Sequence, residues 1–450
     1  MHNFLFIYEI IKIKFRQMIK KINMKKLIIS LIIFIFVSVF VVIALNVSKK
    51  NDIISGFISA EKMKADYEYF WDFIYNGYPF TEVCERKGVD LEQIKQSGYR
   101  YLTDPMMQYG HYFFYKDLCR KITGNRYIGH LYPSDYFDYY FNYEKIFKNG
   151  APQTSLIKKR ALIDNFYFHI YQTEVISDKN YMVYAGNNRN SSLIGTRKYS
   201  KPFMQIIETD YIAYIEIKSF LTTEVEEKQE YLKTLEDFFI ETANYKHIII
   251  DIQNNGGGHS DNYEAIISPN INKDINVISY GLYNENKYTN TYLDMFFKNY
   301  KPEKINRHEV PYIENCSTVK NDKAYRLEEI IQARPINGYK PCEDKKFWLL
   351  VDSGVYSEAD RFTYICKKIG FATVVGTNTG GSGTNGKSPM YIVLPNSGLL
   401  IKFDFMYGLT DDGYCTDEFG TAPDIYNLPG KSALGTCLET IRKLGERTNF

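Results

Sequence analysis

The stretch KFWLLVDSGVYSEADRFTYICKKIGFATVVG, residues 346–376, decides the fold class of this chain. The apolar run near its start predicts a buried strand that ends by Gly354. A helical pattern then continues to Ile369, and Gly370 takes the position that ends many helices. A second apolar run, residues 372–376, predicts the next strand. A strand, a helix and a strand in this order imply a crossover connection within a covered sheet, so the sequence predicts an α/β fold.

The flanking sequence extends this pattern in both directions. Residues 211–217 alternate like a strand, and residues 247–252 are a short apolar run that ends in a glycine-rich segment. Between them, residues 224–244 have a helical period. Residues 390–405 predict a hairpin with a Pro-Asn-Ser-Gly turn. Upstream, residues 60–125 are predicted to be helical, because their apolar positions recur at three- and four-residue steps.

Charge and motif content exclude several classes of partner. The 55 Lys and Arg residues nearly balance the 53 Asp and Glu residues, so no overall field favours nucleic acid. The seven cysteines are widely spaced, and there is no CxxC, HExxH or Walker lysine loop. We therefore predict no metal site, no nucleotide site and no cofactor.

A long apolar segment near the N-terminus predicts a membrane anchor. Residues 27–45 are nineteen residues without a charge, about enough helix to cross a hydrocarbon core of roughly 30 Å. Seven basic residues precede this segment between positions 12 and 26, and two follow it. This bias places the N-terminus in the cytoplasm and the rest outside. We predict a single-pass protein of the cell membrane, or a secreted one if the segment is a cleaved signal. Met24 is an alternative start.

Two turns follow two of the predicted strands and are candidates for chemistry. Gly256–Gly258 follows one strand, and Ser357 lies where another gives way to a helix. Reactive groups gather at the carboxyl ends of strands in such folds. A serine here lies near the positive end of a helix dipole. The backbone N–H of Glu358 and that of Gly257 or Gly258 are then candidate donors to an oxyanion. The alternative is that Ser357 only caps the helix and the glycines only form a tight turn.

Four motifs in order resemble the C-terminal processing and tricorn-type serine peptidases. They are DIQNNGGG, VYSEAD, GFATVVGTNTGGSG and EFGTAPDI, and the helical N-terminal region is similar to that of extracytoplasmic relatives. The resemblance covers about residues 60–130 and 205–430. It implies a crotonase-like ββα superhelix, a peptide or protein substrate, and Ser357 as the nucleophile.

The sequence departs from the Ser–Lys branch of this family. That branch carries its lysine base 25 residues after the serine, and here that position is Ser382. A Ser–Lys dyad is excluded at that place. Lys387 is nearby, but a lysine in a surface loop is expected to be solvated. The loop also lacks the ending of a phosphate-binding loop, so we assign Gly380, Gly381 and Ser382 to substrate binding.

A histidine is the alternative base. The tricorn branch takes its histidine from the region after the N-terminal helices, and the resemblance places His130 there. His259 is the rival base, being close in sequence to the glycine turn; it is also a candidate substrate contact. The resemblance gives Glu418 as the carboxylate that orients His130. Gly129 stands where the tricorn branch has a second serine, so that relay is incomplete.

The resemblance and the composition together divide the chain into five predicted segments. These are 1–50, a basic segment with the anchor or signal; 51–130, a helical region; 131–204, an irregular connection; 205–430, a peptidase catalytic domain; and 431–450, a tail. The favoured interpretation is a tricorn-like serine endopeptidase acting outside the membrane. A non-catalytic relative that binds peptides or other ligands is the alternative, and an acyl-CoA enzyme of crotonase type is a third.

Overall fold

The computed structural model describes Lys12 and residues 59–102, 111–124, 127–135, 138–139, 158–170, 199–311, 322–384 and 389–444. All of them except Lys12 lie in one compact unit. The helices are α1 Ala60–Asn76, α2 Thr81–Arg86, α3 Leu91–Leu102, α4 His111–Ile122, α5 Arg160–Ile170, α6 Val225–Glu241, α7 Ser260–Ile267, α8 Asn290–Tyr300, α9 Glu358–Lys368, α10 Thr416–Phe419 and α11 Ala433–Lys443. The strands are β1 Tyr132–Pro133, β2 Phe203–Glu208, β3 Ile212–Glu216, β4 His247–Asp251, β5 Ile275–Tyr283, β6 Glu303–Ile305, β7 Lys323–Ile331, β8 Lys346–Val351, β9 Ala372–Gly376, β10 Met390–Val393, β11 Leu400–Phe403, β12 Tyr407–Thr410 and β13 Ile425–Tyr426.

A six-stranded sheet forms the centre of the fold, in the order β13-β9-β8-β4-β3-β2. All neighbouring pairs are parallel except β2 with β3. Alternate residues of β4 enter different cores: Ile248 and Ile250 pack with α6, α7 and α9, whereas Ile249 packs with α11. Helices therefore cover both faces, which explains why the strand is apolar at every central position. The predicted mixed α/β architecture is confirmed.

The carboxyl ends of three parallel strands bring the predicted turns together. β4 leads into the glycine turn at Gly256–Gly258, β8 leads to Ser357, and β9 leads to the loop of Gly380 to Ser382. An isolated bridge joins Tyr356 to Gly381 in this region. This edge of the sheet is where a parallel α/β fold presents reactive groups.

Two smaller antiparallel sheets complete the fold, in the orders β1-β11-β10 and β12-β5-β7-β6. The predicted hairpin is β10 with β11. One core joins these sheets to the N-terminal helices and includes Trp71 and Phe73 of α1 and Phe403 of β11. The short strand β1 pairs antiparallel with β11, with Tyr132 opposite Lys402. This pairing positions the residues just before β1.

Some predictions concern residues outside those the structure describes. These are the apolar segment 27–45 and Lys387. Within the described residues, no helix has both the length and the apolar character to span a membrane. The five predicted segment boundaries stay predictions.

Candidate active site

Ser357 lies in a sharp turn, residues 355–357, which we call the serine turn. Ser357 directly precedes α9 and adopts φ 58° and ψ −126°, a backbone conformation that is uncommon for residues with a side chain. Its N–H donates to the carbonyl of Gly381 at 2.9 Å. The N–H of Tyr356 donates to the carbonyl of Asn255 at 3.0 Å. These bonds fix the serine at the helix start, where its side chain remains partly exposed.

The imidazole of His130 contacts this serine. His130 Nε2 lies 3.1 Å from Ser357 Oγ, although 227 positions separate the two residues in the chain. The imidazole is 4.9 Å from the ring of Tyr356, between centroids, and the residue is only 8% exposed. The structure thus brings together the two residues that the sequence singled out as nucleophile and base.

The pairing of β1 with β11 supplies a carboxylate on the other side of the imidazole. His130 lies two residues before Tyr132, and Asp404 lies two residues after Lys402, the partner of Tyr132, so the antiparallel pairing brings both to the same end of the ladder. The Asp404 N–H donates to the carbonyl of Gly129 at 2.8 Å, beyond the end of the ladder and one residue out of its register. His130 Nδ1 lies 2.7 Å from Asp404 Oδ2.

This arrangement defines the direction in which a proton can move. An ionised carboxylate only accepts hydrogen bonds, so Nδ1 of His130 carries the hydrogen and donates to Asp404. Nε2 then has a lone pair that accepts from the hydroxyl of Ser357. The geometry is that of a serine whose proton can pass to a histidine held by a buried carboxylate.

Glu418 is not the partner of His130 in this structure. Its carboxylate accepts from the guanidinium of Arg86 through Nε at 3.0 Å and Nη2 at 2.8 Å. The hydroxyl of Tyr407 donates to the same group at 3.1 Å. The bidentate guanidinium pair turns Glu418 toward α2, and the orienting position that the resemblance gave to Glu418 is held by Asp404.

The glycine turn and the start of α9 contain the candidate oxyanion donors. The N–H of Gly257 donates to Asn255 Oδ1 at 2.9 Å, so this amide is already committed. A Cβ on Gly257 would lie 2.9 Å from the amide nitrogen of Glu358, so the glycine lets the two turns approach closely. The amides of Gly258 and of Glu358, the first residue of α9, stay predicted donors.

The loop after β9 supports the serine turn. The N–H of Gly380 donates to the carbonyl of Val355 at 2.7 Å, and Gly381 provides the carbonyl that holds the serine N–H. Ser382 is buried, and its hydroxyl donates to Asp417 Oδ1. Gly380 and Gly381 therefore lie against the serine turn and Ser382 is bonded to Asp417, and a direct contact with substrate stays a prediction for all three.

His259 lies at the start of α7 and is exposed. Its backbone N–H donates to the carbonyl of Phe220 at 2.9 Å. In the part of the chain that the structure describes, no hydrogen bond joins its ring to Ser357. The candidate base in contact with the serine is His130, and His259 stays a predicted substrate contact.

Two buried acids at the site, Asp404 and Asp417, were missed from the sequence. The available signal for Asp404 is the strand LLIKFDF, residues 399–405, in which two charged residues alternate with apolar ones and so share one face. Asp417 directly precedes the glutamate chosen by resemblance. Burial, followed by the charge of Asp404, raises the pKa of Asp417 to about 7, while the hydroxyl of Ser382 acts in the opposite direction.

Part of the chain is similar to a known protein family. Residues 211–427 match peptidase family S41. The similarity to that family covers just under half of the chain. The resemblance predicted from the motifs is confirmed, and the match supports a serine-type peptidase that acts on a peptide or protein substrate. No match was found among curated proteins.

Several solved structures are similar to this chain. A candidate peptidase from Parabacteroides merdae ATCC 43184 is 17% identical with a TM-score of 0.48, and the match covers 86% of this chain and 98% of that one. A lipoprotein from Streptococcus agalactiae is 12% identical with a TM-score of 0.42, over 86% of this chain and 97% of that one. The tricorn protease is 19% identical with a TM-score of 0.29, over 52% of this chain and 17% of its own.

Proposed function

We propose that this chain is a membrane-anchored serine endopeptidase of tricorn-like type that cleaves peptides or proteins outside the cell membrane. The observation that carries the proposal is the series of contacts from Ser357 Oγ to His130 Nε2, 3.1 Å, and from His130 Nδ1 to Asp404 Oδ2, 2.7 Å. These side chains come from elements far apart in sequence, with Ser357 and Asp404 inside the match to a serine peptidase family and His130 before it.

In the proposed reaction, Ser357 Oγ attacks the carbonyl carbon of the scissile peptide bond while His130 Nε2 takes the hydroxyl proton. Asp404 stabilises the imidazolium that forms. When the carbon–nitrogen bond breaks, His130 gives the proton to the leaving amine, and an acyl-enzyme remains. Water then attacks the ester, His130 takes a proton from that water, and the proton returns to Ser357 as the acid leaves.

Backbone amides stabilise the negative charge of the intermediate in this proposal. We assign this role to Gly258 and Glu358, since the amide of Gly257 is committed to Asn255. Each well-placed donor of this kind contributes about 3 kcal/mol to lowering the barrier.

The finer features of the fold and the location are part of the same proposal. We infer a crotonase-like ββα superhelix for the S41 domain. We also infer that residues 27–45 anchor the chain and that the domain lies outside the membrane. Support comes from the nineteen uncharged residues of this segment and from the excess of basic residues before it.

Fluorophosphonate labelling of the full-length chain tests the chemistry, because these probes react with activated serines. We expect labelling of the wild type, its loss in Ser357→Ala, and a strong reduction in His130→Ala. His259→Ala is the matched histidine control and should label like the wild type. A folded wild type that never labels would overturn the proposal and favour the non-catalytic binding relative.

Accessibility in intact cells tests the location separately. A protease added outside intact cells that express the chain should remove the S41 domain. Protection of the domain until the cells are opened would contradict the proposed orientation, whatever the labelling result.

A further inference from the structure

The backbone that carries His130 is held in an unusual conformation. Gly129 has φ 56° and His130 has φ 49°, so two successive residues of the histidine turn, residues 128–130, are left-handed. A residue with a side chain in this region costs of order 1–3 kcal/mol and persists only when its surroundings hold it. The position of the imidazole therefore depends on whatever fixes this turn.

One carboxylate oxygen is bonded to both the histidine turn and the loop behind the serine. The N–H of Gly129 donates to Asp417 Oδ1 at 2.9 Å. The hydroxyl of Ser382 donates to the same oxygen. Ser382 is itself left-handed, at φ 65°, and follows Gly381, whose carbonyl holds the N–H of Ser357. Asp417 thus connects the base and the nucleophile through their backbones.

We propose that Asp417 is a positioning residue that keeps His130 in register with Ser357 and sets the electrostatic environment of its imidazole. The inference rests on the proposed function, since it assigns a role around the same serine and histidine. Asp417 is 5% exposed, and within the described residues its second oxygen, Oδ2, has no hydrogen-bond partner. Oδ1 performs the positioning in either protonation state, because a neutral carboxyl also offers an acceptor oxygen.

The charge of Asp417 is the second part of this role. The titratable groups that face it from the surrounding elements are His130, Asp404, and the phenols of Tyr78 and Tyr356. Burial and the charge of Asp404 raise the pKa of Asp417 to about 7. Above that pH an ionised Asp417 adds negative charge near His130, which favours the imidazolium. Below it the carboxyl is neutral and this support is lost.

Two substitutions separate positioning from charge. In Asp417→Asn the amide oxygen can accept from Gly129 and Ser382, while the NH₂ replaces Oδ2. This variant keeps the connection and removes the charge. Asp417→Ala removes both. Glu418→Gln is the matched control on the same helix, because that side chain is bonded to Arg86 instead.

The first measurement is the titration of His130, followed by NMR of histidine-labelled full-length protein, with His130→Ala assigning the signal. In Asp417→Asn we expect the midpoint to fall, because the negative charge that favours the imidazolium is removed. Glu418→Gln should keep the wild-type midpoint. This readout needs no turnover, so it remains informative if the wild type fails to label. An unchanged midpoint in Asp417→Asn would overturn the electrostatic part of the proposal.

The second measurement is the rate of fluorophosphonate labelling. We expect Asp417→Ala to label about 100-fold more slowly than the wild type, because a displacement of about 1 Å costs that much. The labelling rate of Asp417→Asn should stay within about tenfold of the wild-type rate at pH 6. It should not show the increase that we expect of the wild-type rate above pH 7. Equal rates for folded Asp417→Ala and wild type would overturn the positioning role. If Asp417→Ala does not fold, the pH dependence of the labelling rate of Asp417→Asn serves as the test.

Discussion

At the scale of single residues, two acidic side chains are candidates for orienting His130. Asp404 contacts the imidazole at 2.7 Å, whereas Glu418 is bonded to Arg86. Asp404→Asn replaces an acceptor by a group that can donate, which favours the wrong tautomer of the histidine. If His130 is the base as proposed, we expect the rate of labelling or turnover to fall by about 10⁴-fold, the loss measured in Ser-His-Asp enzymes. Steady-state kinetics on a casein-type protein substrate, together with labelling rates, measures this.

The control at this scale is Glu418→Gln. It weakens a partly exposed pair with Arg86 and should lower activity by less than about tenfold, with a loss of stability of about 1 kcal/mol. A larger loss of activity in Glu418→Gln than in Asp404→Asn would return the orienting role to the residue that the family resemblance suggested.

At the scale of elements, the antiparallel ladder of β1 and β11 brings the histidine to its carboxylate. The same ladder carries a buried cation, Lys402, whose Nζ donates to the Tyr132 hydroxyl at 2.7 Å and lies 3.6 Å from Asp138. Burial lowers the pKa of Lys402, but Asp138 and Tyr132 raise it by more than burial lowers it. The net result is a raised pKa and a charged lysine. Lys402 is two residues from Asp404, and its hydrogen-bond partner Tyr132 is two residues from His130.

Removal of this cation should destabilise the ladder. Lys402→Met keeps most of the side-chain volume but leaves the carboxylate of Asp138 buried beside an apolar group. We expect the free energy of unfolding to fall by about 3–5 kcal/mol, measured by urea denaturation. The double variant Lys402→Met with Asp138→Asn should recover part of this loss, because it removes both charges. A single variant as stable as the wild type would show that the pair does not stabilise the ladder.

The same ladder explains which parts of the site could be predicted from the sequence. The strands and helices around Ser357 follow from local periodicity, and the family motifs placed the serine and His130 in one site. Asp404 lies 274 positions after His130, and its role depends on the register of a two-residue strand. No local pattern specifies that register. The hydrogen bond from the Gly257 amide to Asn255 also could not be predicted from the sequence, because it depends on the orientation of the Asn255 side chain.

At the scale of the whole molecule, the N-terminal helices are bonded to the part of the chain that holds the site. Asp66 of α1 is fully buried and accepts hydrogen bonds at the turn of the β10–β11 hairpin. The N–H groups of Asn396 and Ser397 donate to it, each at 2.8 Å, and the side chain of Asn396 donates at 2.9 Å. His111 of α4 lies 3.6 Å away. The hairpin continues into Asp404, so a helix outside the S41 match supports the strand that leads to the site.

Loss of the charge at Asp66 should weaken this connection in a pH-dependent way. Burial opposes ionisation of Asp66, but His111 and the hydrogen bonds from Ser397 and Asn396 outweigh it and lower the pKa. A lowered folded-state pKa stabilises the fold above the unfolded value, about 3.9, and this stability is lost as the pH falls through the folded value. Asp66→Asn should therefore reduce the free energy of unfolding by about 2 kcal/mol at pH 7, because the hydrogen bonds to a charged acceptor are lost. The difference from the wild type should shrink below about pH 4.

Asp117→Asn, at an exposed ion pair on α4, is the matched control and should change stability by less than about 0.5 kcal/mol. If the difference in free energy of unfolding between Asp66→Asn and the wild type is the same at pH 7 and pH 3, the shape of the Asp66 side chain, rather than its charge, stabilises the contact between the helices and the hairpin.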